Sequence, residues 1–497
     1  MIASQGLLCW ILAALCCAAV AIPFFTAQFP PITDLPQQSA QIRLFLDTLF
    51  ASDHSQYKIQ WFTPYSFSYL LLGLSWALFG PENAGRMAML AIGLIWIIAI
   101  HVVTFRRGRA QTAAILGTLF FFNHVLYWGF YSFAIGWPVF LLWFMVTTKE
   151  TGEGFSVWDS LVLASVALLL YLSHVLWLIA GLCWLGLYSL VFRQFVGKVA
   201  RQVACLIPLV IAVIAWYPMF AESSMATPPV WGTGPLERLS YSWLTDAALG
   251  GIHGPAEYVI FGCCLGWVAL GMLQNRGALR SVIDWPMLLA AGMFFAFALF
   301  LPDKYMNTIR FGQRWMPVAA IAFLAAMPGP VLTPVIRHAA ALVVVAAFCL
   351  ITAGAWHGFQ HKELSGLKES LASLPESPKV LGLSYVQQSE FVKGRPFIQV
   401  FAYSQVLKGG TLNFSFAQFS PCLVVYKQPF VSPWTNGLEW FPTRATEADL
   451  RYFDFVLVNG TEAIHRNMEA IAVLTPVTSK GRWRMYRVLE GKPDMSQ

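Results

Sequence analysis

Residues Phe29 to Phe50 read FPPITDLPQQSAQIRLFLDTLF and follow directly on the first hydrophobic run of the chain. The stretch sets one carboxylate, Asp34, between Pro30-Pro31 and Pro36 at an apolar boundary. A helical pattern with Leu35, Ile42, Phe45, Leu46 and Leu49 on one side begins at once. A carboxylate there is costly unless it is solvated, paired or used. Flanking prolines restrict the backbone, as a preorganised site requires. A second reading has Asp34 capping the helix that starts at Leu35-Pro36, with proline at an early helical position. The two readings are compatible, because a cap also fixes the direction of the carboxylate.

Working outward, the composition defines the solvent. The 497 residues are 57% hydrophobic and only 11% charged, against about 25% charged in soluble domains. Apolar runs of about 20 residues recur over the first 355 positions, the signature of transmembrane helices. The net charge of +7 lies in short loops, with no basic face and no nucleic-acid-binding motif, so it reads as a set of topology determinants. Eight of the nine cysteines, all but Cys422, sit in apolar segments, and none has metal-ligand or disulfide-framework spacing. Ala19-Val20-Ala21 resembles a signal-peptidase site. MIASQG carries no positive side chain, however, and an uncleaved first helix, 7–27, is expected to place Asp34 outside.

Charge decides the topology. The segment 57–79 is apolar but short, carries Gly73 and ends at Gly80-Pro81. If it lies in the interface, Arg106, Arg107 and Arg109 fall inside. Lys149, then Arg193, Lys198 and Arg201, then Arg276 and Arg280, then Arg337 and His338 follow them. Every cytoplasmic turn then obeys the positive-inside rule. Eleven spanning helices are predicted, near 7–27, 83–105, 110–123, 134–148, 157–173, 175–192, 203–220, 257–273, 283–301, 315–327 and 339–355. External segments are 28–82, 123–133, around 174, 221–256, 302–314 and everything after 356. The 221–256 loop, with Pro228-Pro229 and Gly250-Gly251, has the length of a functional lid.

The fold class expected is a mostly α, polytopic bundle, residues 1–355, followed by an external α/β domain, 356–497. In that domain LKESLASLPE reads as a short helix, KVLGLSYV and DFVLVNG as buried strands, and GRWRMYRVL as an edge strand. GTEAIHRNMEAIAVL reads as a helix.

The order of one helix, an external loop with an early Asp, a juxtamembrane helix, a GPENAGRMAML entry into the next helix and a basic RRGR turn resembles the GT-C membrane glycosyltransferases. Within them it is most similar to bacterial members of the mannosyl/arabinosyl-transferase-like group. The resemblance covers residues 1–355 as architecture, through short motifs. It implies a polyprenyl-phosphate sugar donor, a glycan or lipid acceptor, inverting transfer at the outer face of a bacterial inner membrane, and Asp34 as the catalytic carboxylate.

Inverting transfer needs one base for the acceptor hydroxyl and positive charge for the leaving phosphate. The residues themselves offer Arg310 and Arg314 in DKYMNTIRFGQRWMP, with Lys304 nearby and Arg86 near the outer end of its helix. Arginine presents a donor fork suited to phosphate, although snorkelling anchors are the competing reading. Many members of the superfamily carry a second acidic motif in the next external loop, sometimes with a divalent metal. Here NHVLYWGFYSFAIGWP has no acid, and Asn123 and His124 stand in its place. No cofactor is expected, with Asp47, Asp53, Glu82 and Asp303 as the available oxygen ligands if a metal is used. His124, His174 and His253 map to the outer face as site candidates or as structural histidines. Trp61, Tyr65, Tyr127, Trp128, Tyr131, Trp231, Tyr241 and Trp243 form an interfacial belt or sugar-stacking surfaces. The sequons at Asn413 and Asn459 carry no weight for a glycosylating lumen.

Two further function classes fit the composition. A lipid or glycan transporter is disfavoured, since no repeat and no paired broken helices are visible. An assembly factor acting through the C-terminal domain fits the missing second acidic motif.

Overall fold

The computed structural model describes residues 2–50, 56–61, 63–149, 156–194, 196–221, 228–306 and 308–489. The chain opens with α1 (Ile2–Thr26), then α2 (Leu35–Phe50), a short strand β1 (Tyr57–Ile59), α3 (Ser66–Phe79) and α4 (Pro81–Arg106). Next come α5 (Gln111–Gly117), extended by a 3-10 turn to Phe121, the short α6 (His124–Trp128), α7 (Tyr131–Thr147), α8 (Val157–Ser173), α9 (Val175–Val191) and α10 (Val196–Ala221). The bundle is completed by α11 (Tyr241–Ala248), α12 (Ala256–Gln274), α13 (Leu279–Val282), α14 (Trp285–Phe300), α15 (Met316–Ala326) and α16 (Pro334–Gly358). A small hairpin, β2 (Lys304–Tyr305) and β3 (Thr308–Ile309), precedes α15.

Every predicted passage is helical among the described residues. Five helices, α1, α4, α10, α12 and α16, are long and apolar enough to cross a membrane. Five more, including α3, are shorter apolar helices of 10–17 residues. The chain is an integral membrane protein. The two shortest passages, α5 with 7 residues and α15 with 11, fall well below the length of a full crossing, about 20 residues. They are almost wholly buried, and a helix enclosed by other helices need not reach from one bilayer face to the other. The α3 helix buries Ser68, Tyr69, Leu72 and Ser75 while Leu70, Leu74 and Leu78 face outward. That pattern suits a helix lying against lipid.

At one end of the bundle two of the three arginines of the RRGR turn are consumed by structure. Arg107 grips Asp284, the cap of α14, through two bonds of 2.8 and 2.7 Å. Arg109 donates to the carbonyls of Val282, Ala325 and Ala326, groups left open where helices end. Α4 has 26 residues, so its two ends are about 39 Å apart.

Beyond α16 the helix widens into a π turn over Phe359–Glu363, and α17 (Leu367–Ala372) follows. A five-stranded sheet has the order β5-β4-β7-β9-β8. It is built from β4 (Lys379–Ser384), β5 (Thr411–Leu412), β7 (Phe455–Asn459), β8 (Leu474–Pro476) and β9 (Trp483–Val488). β6 (Val424–Tyr426) stands apart, and two helices, α18 (Tyr403–Lys408) before β5 and α20 (Glu462–Glu469) after β7, flank the sheet; the single-turn α19 (Glu447–Leu450) lies between β6 and β7. The strand expected at the edge, GRWRMYRVL, is interior instead. β9 pairs with β7 on one side and β8 on the other, and Trp483 to Tyr486 are all buried. The three-residue β8 is too short to register as a period-2 pattern, which is why the edge was misplaced.

The sheet region and the bundle share one apolar core, running from Leu12 of α1 to Met485 of β9. Their seam is the opening stretch of the chain. β1 pairs antiparallel with β6, joining the segment between α2 and α3 to the C-terminal part. On α2 the expected apolar face packs inward through Leu35, Ile42, Phe45 and Leu46, and Gln37 and Gln41 are buried beside it. Gln37 accepts from Phe416 N and donates to the carbonyl of Phe414 at 3.0 Å, while Gln41 accepts from Val424 N at 2.8 Å. Leu49 is exposed.

Candidate active site

Asp34 stands at the start of α2, held by its backbone. Its N–H donates to the carbonyl of Trp128 at 3.0 Å, and that of Thr33 to Tyr127 at 2.9 Å. The close approach depends on Gly129, which ends α6 with φ of 80°; a Cβ there would lie 3.0 Å from Asp34 N. Asn123 starts α6 by accepting from Val125 N and Leu126 N. The residue standing in place of the second acid is therefore a helix cap that shapes the Asp34 loop.

The expected cap at Asp34 is not made. Its carbonyl accepts from Gln38 N, but its carboxylate has no hydrogen-bond partner among the described residues. A cap normally takes the N–H of the second or third helical residue, and here the second is Pro36, which has none. Asp34 keeps part of its surface open. Burial in the surrounding protein pushes its pKa up to about 7, opposed by the charge of Arg314.

Arg314 is buried, 2% exposed. Its guanidinium lies 4.1 Å from the centre of the Phe130 ring and 5.4 Å from that of Phe133. Nη2 donates to the Ile309 carbonyl at 2.7 Å and Nε to that of Arg310 at 3.4 Å. Nη1 has no acceptor among the described residues. Burial lowers the pKa of Arg314 to about 10, with Tyr65 and Asp34 acting the other way; the group stays charged at neutral pH.

Two buried histidines, His124 and His174, are held neutral. His124 is buried and makes no well-formed hydrogen bond at either ring nitrogen among the described residues. Burial, then Arg310 and Arg314, holds its pKa well below the usual value. His174 accepts from Leu176 N through Nδ1 and so caps α9, which leaves the proton on Nε2. Burial and Arg314 bring its pKa down to about 3. Its ring lies 5.0 Å from Tyr65 and 5.9 Å from Phe133.

Arg310 takes a left-handed backbone, φ 51°, donates to Gln313 at 3.1 Å, and lies in the field of Asp246 and Asp303. The fold thus gathers Asp34, Arg314, His124, His174 and Arg310 at one end of the bundle. Two other candidates are built into different contacts. Lys304 sits in the β2–β3 hairpin, bridged through its backbone to Val230. Arg86 donates to Asn83 and to the Phe24 carbonyl beside Tyr403. His253 is an exposed turn residue. Of the oxygen ligands considered, Asp47 pairs with Arg43, Glu82 accepts from Gln28, and Asp303 pairs with Arg238; Asp53 lies outside the described residues. Among the described residues no three His, Cys, Asp or Glu side chains cluster as metal ligands would. Both sequon asparagines are buried and bonded, Asn413 to Gly382 N and Asn459 to Ser384.

Three contributors were not anticipated. Phe130 and Phe133 provide the cradle of Arg314, and Cys422 reaches in from the C-terminal part beside Tyr69, within the field of Asp34. The lone cysteine of the polar region was the available signal. Asp246 belongs to the 228–255 segment, which Arg238 ties down. That arginine is fully buried and donates to the carbonyls of Thr233, Ala298 and Leu301 and to Asp303.

An apolar cavity of about 380 Å³ opens beneath this cluster, walled by α11, α12, α14 and α15. Its lining includes Phe120, Leu244 and Met316, each two to four residues from His124, Asp246 or Arg314 in sequence.

A crystal structure of ArnT from Cupriavidus metallidurans in the apo state matches 97% of this chain and 98% of its own, with a TM-score of 0.55 at 13% identity. The chain has the ArnT-like GT-C fold. A second ArnT structure from the same organism, bound to undecaprenyl phosphate, gives a TM-score of 0.53 at 12% identity over 96% of this chain and 97% of that one. No protein-family model matches the chain, and no curated protein matches it in sequence. An ArnT-like bundle is therefore reached here by a sequence that retains little of ArnT, and agreement over nearly the whole of both chains includes the C-terminal sheet.

Proposed function

We propose that the protein is an inverting membrane glycosyltransferase that moves a sugar from a polyprenyl-phosphate donor to a glycan or lipid acceptor at the outer face. The observation that carries this reading is a partly open, unbonded carboxylate, Asp34, in the field of a buried, ring-cradled arginine, Arg314. The ArnT that shares this fold has been captured with undecaprenyl phosphate, and the apolar cavity lined by Met316, two residues on from Arg314, suits a prenyl tail.

In this reading Asp34 takes the proton of the acceptor hydroxyl. The acceptor oxygen attacks the anomeric carbon, the bond from that carbon to the phosphate oxygen breaks, and polyprenyl phosphate leaves with the electron pair. Arg314 meets that charge with Nη1, and Arg310 adds to the field. A base with a pKa near neutrality is well matched to such a transfer. His124 and His174, both neutral, contribute hydrogen bonding rather than charge. The chemistry uses a phosphate-binding arginine and a general base on the protein's own side chains.

The test is transfer by purified protein from radiolabelled polyprenyl-phosphate sugars, with Asp34→Asn and Asp34→Ala alongside. Transfer that survives both substitutions rejects Asp34 as base. An absence of transfer from every donor favours the assembly-factor reading, and comparing surface glycans of cells with and without the protein then locates the step.

A further inference from the structure

The end of the bundle opposite Asp34 contains a second pocket of about 280 Å³, walled by the α4–α5 turn, the end of α12 and the α15–α16 connection. Arg109, Thr112, Asn275 and Arg337 bring polar groups to it, and Trp267 and Val331 apolar ones. The two arginines differ. Arg109 spends its guanidinium on helix-end carbonyls, whereas Arg337, in the first turn of α16, has a buried Nε with no hydrogen-bond partner among the described residues. The hydroxyl of Thr112, a residue only 1% exposed, is likewise unpartnered. Buried polar groups are normally paired, so two orphans on one pocket wall point to an absent acceptor.

The surrounding charge specifies an anion. Arg106, Arg107, Arg276, Arg280 and His338 stand at this end, and the carboxylate facing them, Asp284, is already taken by Arg107. The rim specifies a lipid rather than a free ion: Val331, Leu332, Val335 and Ile336 are all exposed apolar residues next to Arg337. We propose that this pocket holds the phosphate of an anionic glycerophospholipid, with Arg337 and Thr112 as its ligands and the acyl chains lying along Trp267, Val331 and Leu332. Basic pockets between membrane helices on the basic side of a bundle favour such headgroups. The proposal is independent of the transfer chemistry.

Native mass spectrometry of the full-length protein in detergent, titrated with phosphatidylglycerol, phosphatidylcholine or inorganic phosphate, reads the site directly. Wild-type protein is expected to retain phosphatidylglycerol in preference to phosphatidylcholine. Arg337→Ala weakens that retention about fivefold, the effect of one interfacial cation, and Arg337→Lys restores most of it. Thr112→Val keeps the shape and lowers retention by a smaller factor, and it carries the test if Arg337→Ala is not monodisperse. Equal retention of phosphatidylglycerol by wild type and these variants overturns the proposal. So does equal retention of the two lipids, and displacement of phosphatidylglycerol by millimolar phosphate reassigns the pocket to a free anion.

Discussion

The two ends of the helical bundle use the same residue types in opposite ways. At the basic end, Arg107 and Asp284 saturate each other with two short bonds, and Arg109 is spent on three helix-end carbonyls. At the other end, Asp34 has a charged neighbour but no hydrogen-bond partner among the described residues, and Arg314 rests on an aromatic ring with one nitrogen uncommitted. A satisfied ion pair close to a membrane holds helices together. An unsatisfied one is costly to keep and is retained where a ligand completes it. In the proposed function, the difference separates structural charge from chemical charge.

The comparison breaks first at Asp34. Asp34→Asn is expected to reduce transfer about 100- to 10,000-fold, the range for removing a general base, with folding unchanged; full activity in the labelled-donor assay ends the assignment. Arg314→Lys comes next, with a loss of about 100-fold or more in transfer. Lysine keeps the charge but loses both the fork and the flat contact with Phe130. A rate within threefold of wild type would make Arg314 an anchor rather than a phosphate ligand. Arg107→Ala should behave oppositely. It strands the buried carboxylate of Asp284 and costs about 3 kcal/mol of stability, read by denaturation in micelles, while the rate per folded molecule stays the same. If transfer falls and stability does not, the two ends have been misassigned. The smallest effect is a pH dependence. The base form of Asp34 is lost as pH falls through about 7, so transfer should be half-maximal there and about tenfold below its plateau one unit lower. A profile flat from pH 5 to 8 would show that Asp34 remains ionised and that burial does not set its chemistry.

Some elements of the fold are legible residue by residue in the chain, and others are not. The passages were legible because each is a local run of apolar residues, and even the unusual 57–79 segment was recognisable from its shortness, Gly73 and Gly80-Pro81. Asp34 was legible because a single acid between prolines at an apolar boundary is rare. The edge assignment of GRWRMYRVL failed because a strand's neighbours are set by partners far away in sequence. The apolar face of α2 holds at Leu35, Ile42, Phe45 and Leu46 but not at Leu49, and the burial of Gln37 and Gln41 is not legible locally because it depends on Phe414, Phe416 and Val424 lying against them. Phe130 and Phe133 carry no signal of their own in the sequence, and they form a cradle only because the fold brings Arg314 to 4.1 and 5.4 Å from their ring centres.

The amino-acid sequence by itself determined that the chain lives in a membrane, where its apolar helical runs fall, and that one carboxylate, Asp34, stands between prolines in the stretch Phe29–Phe50. Those properties follow from hydrophobic length and local backbone restriction, which need no distant partner. Only the tertiary structure decided that this stretch is the seam between bundle and sheet, that the Asp34 carboxylate is left uncapped, and that Arg314 is buried close enough to act on it. Pairing across hundreds of residues and the electrostatic cost of burial both depend on what surrounds a group, and no local pattern encodes that.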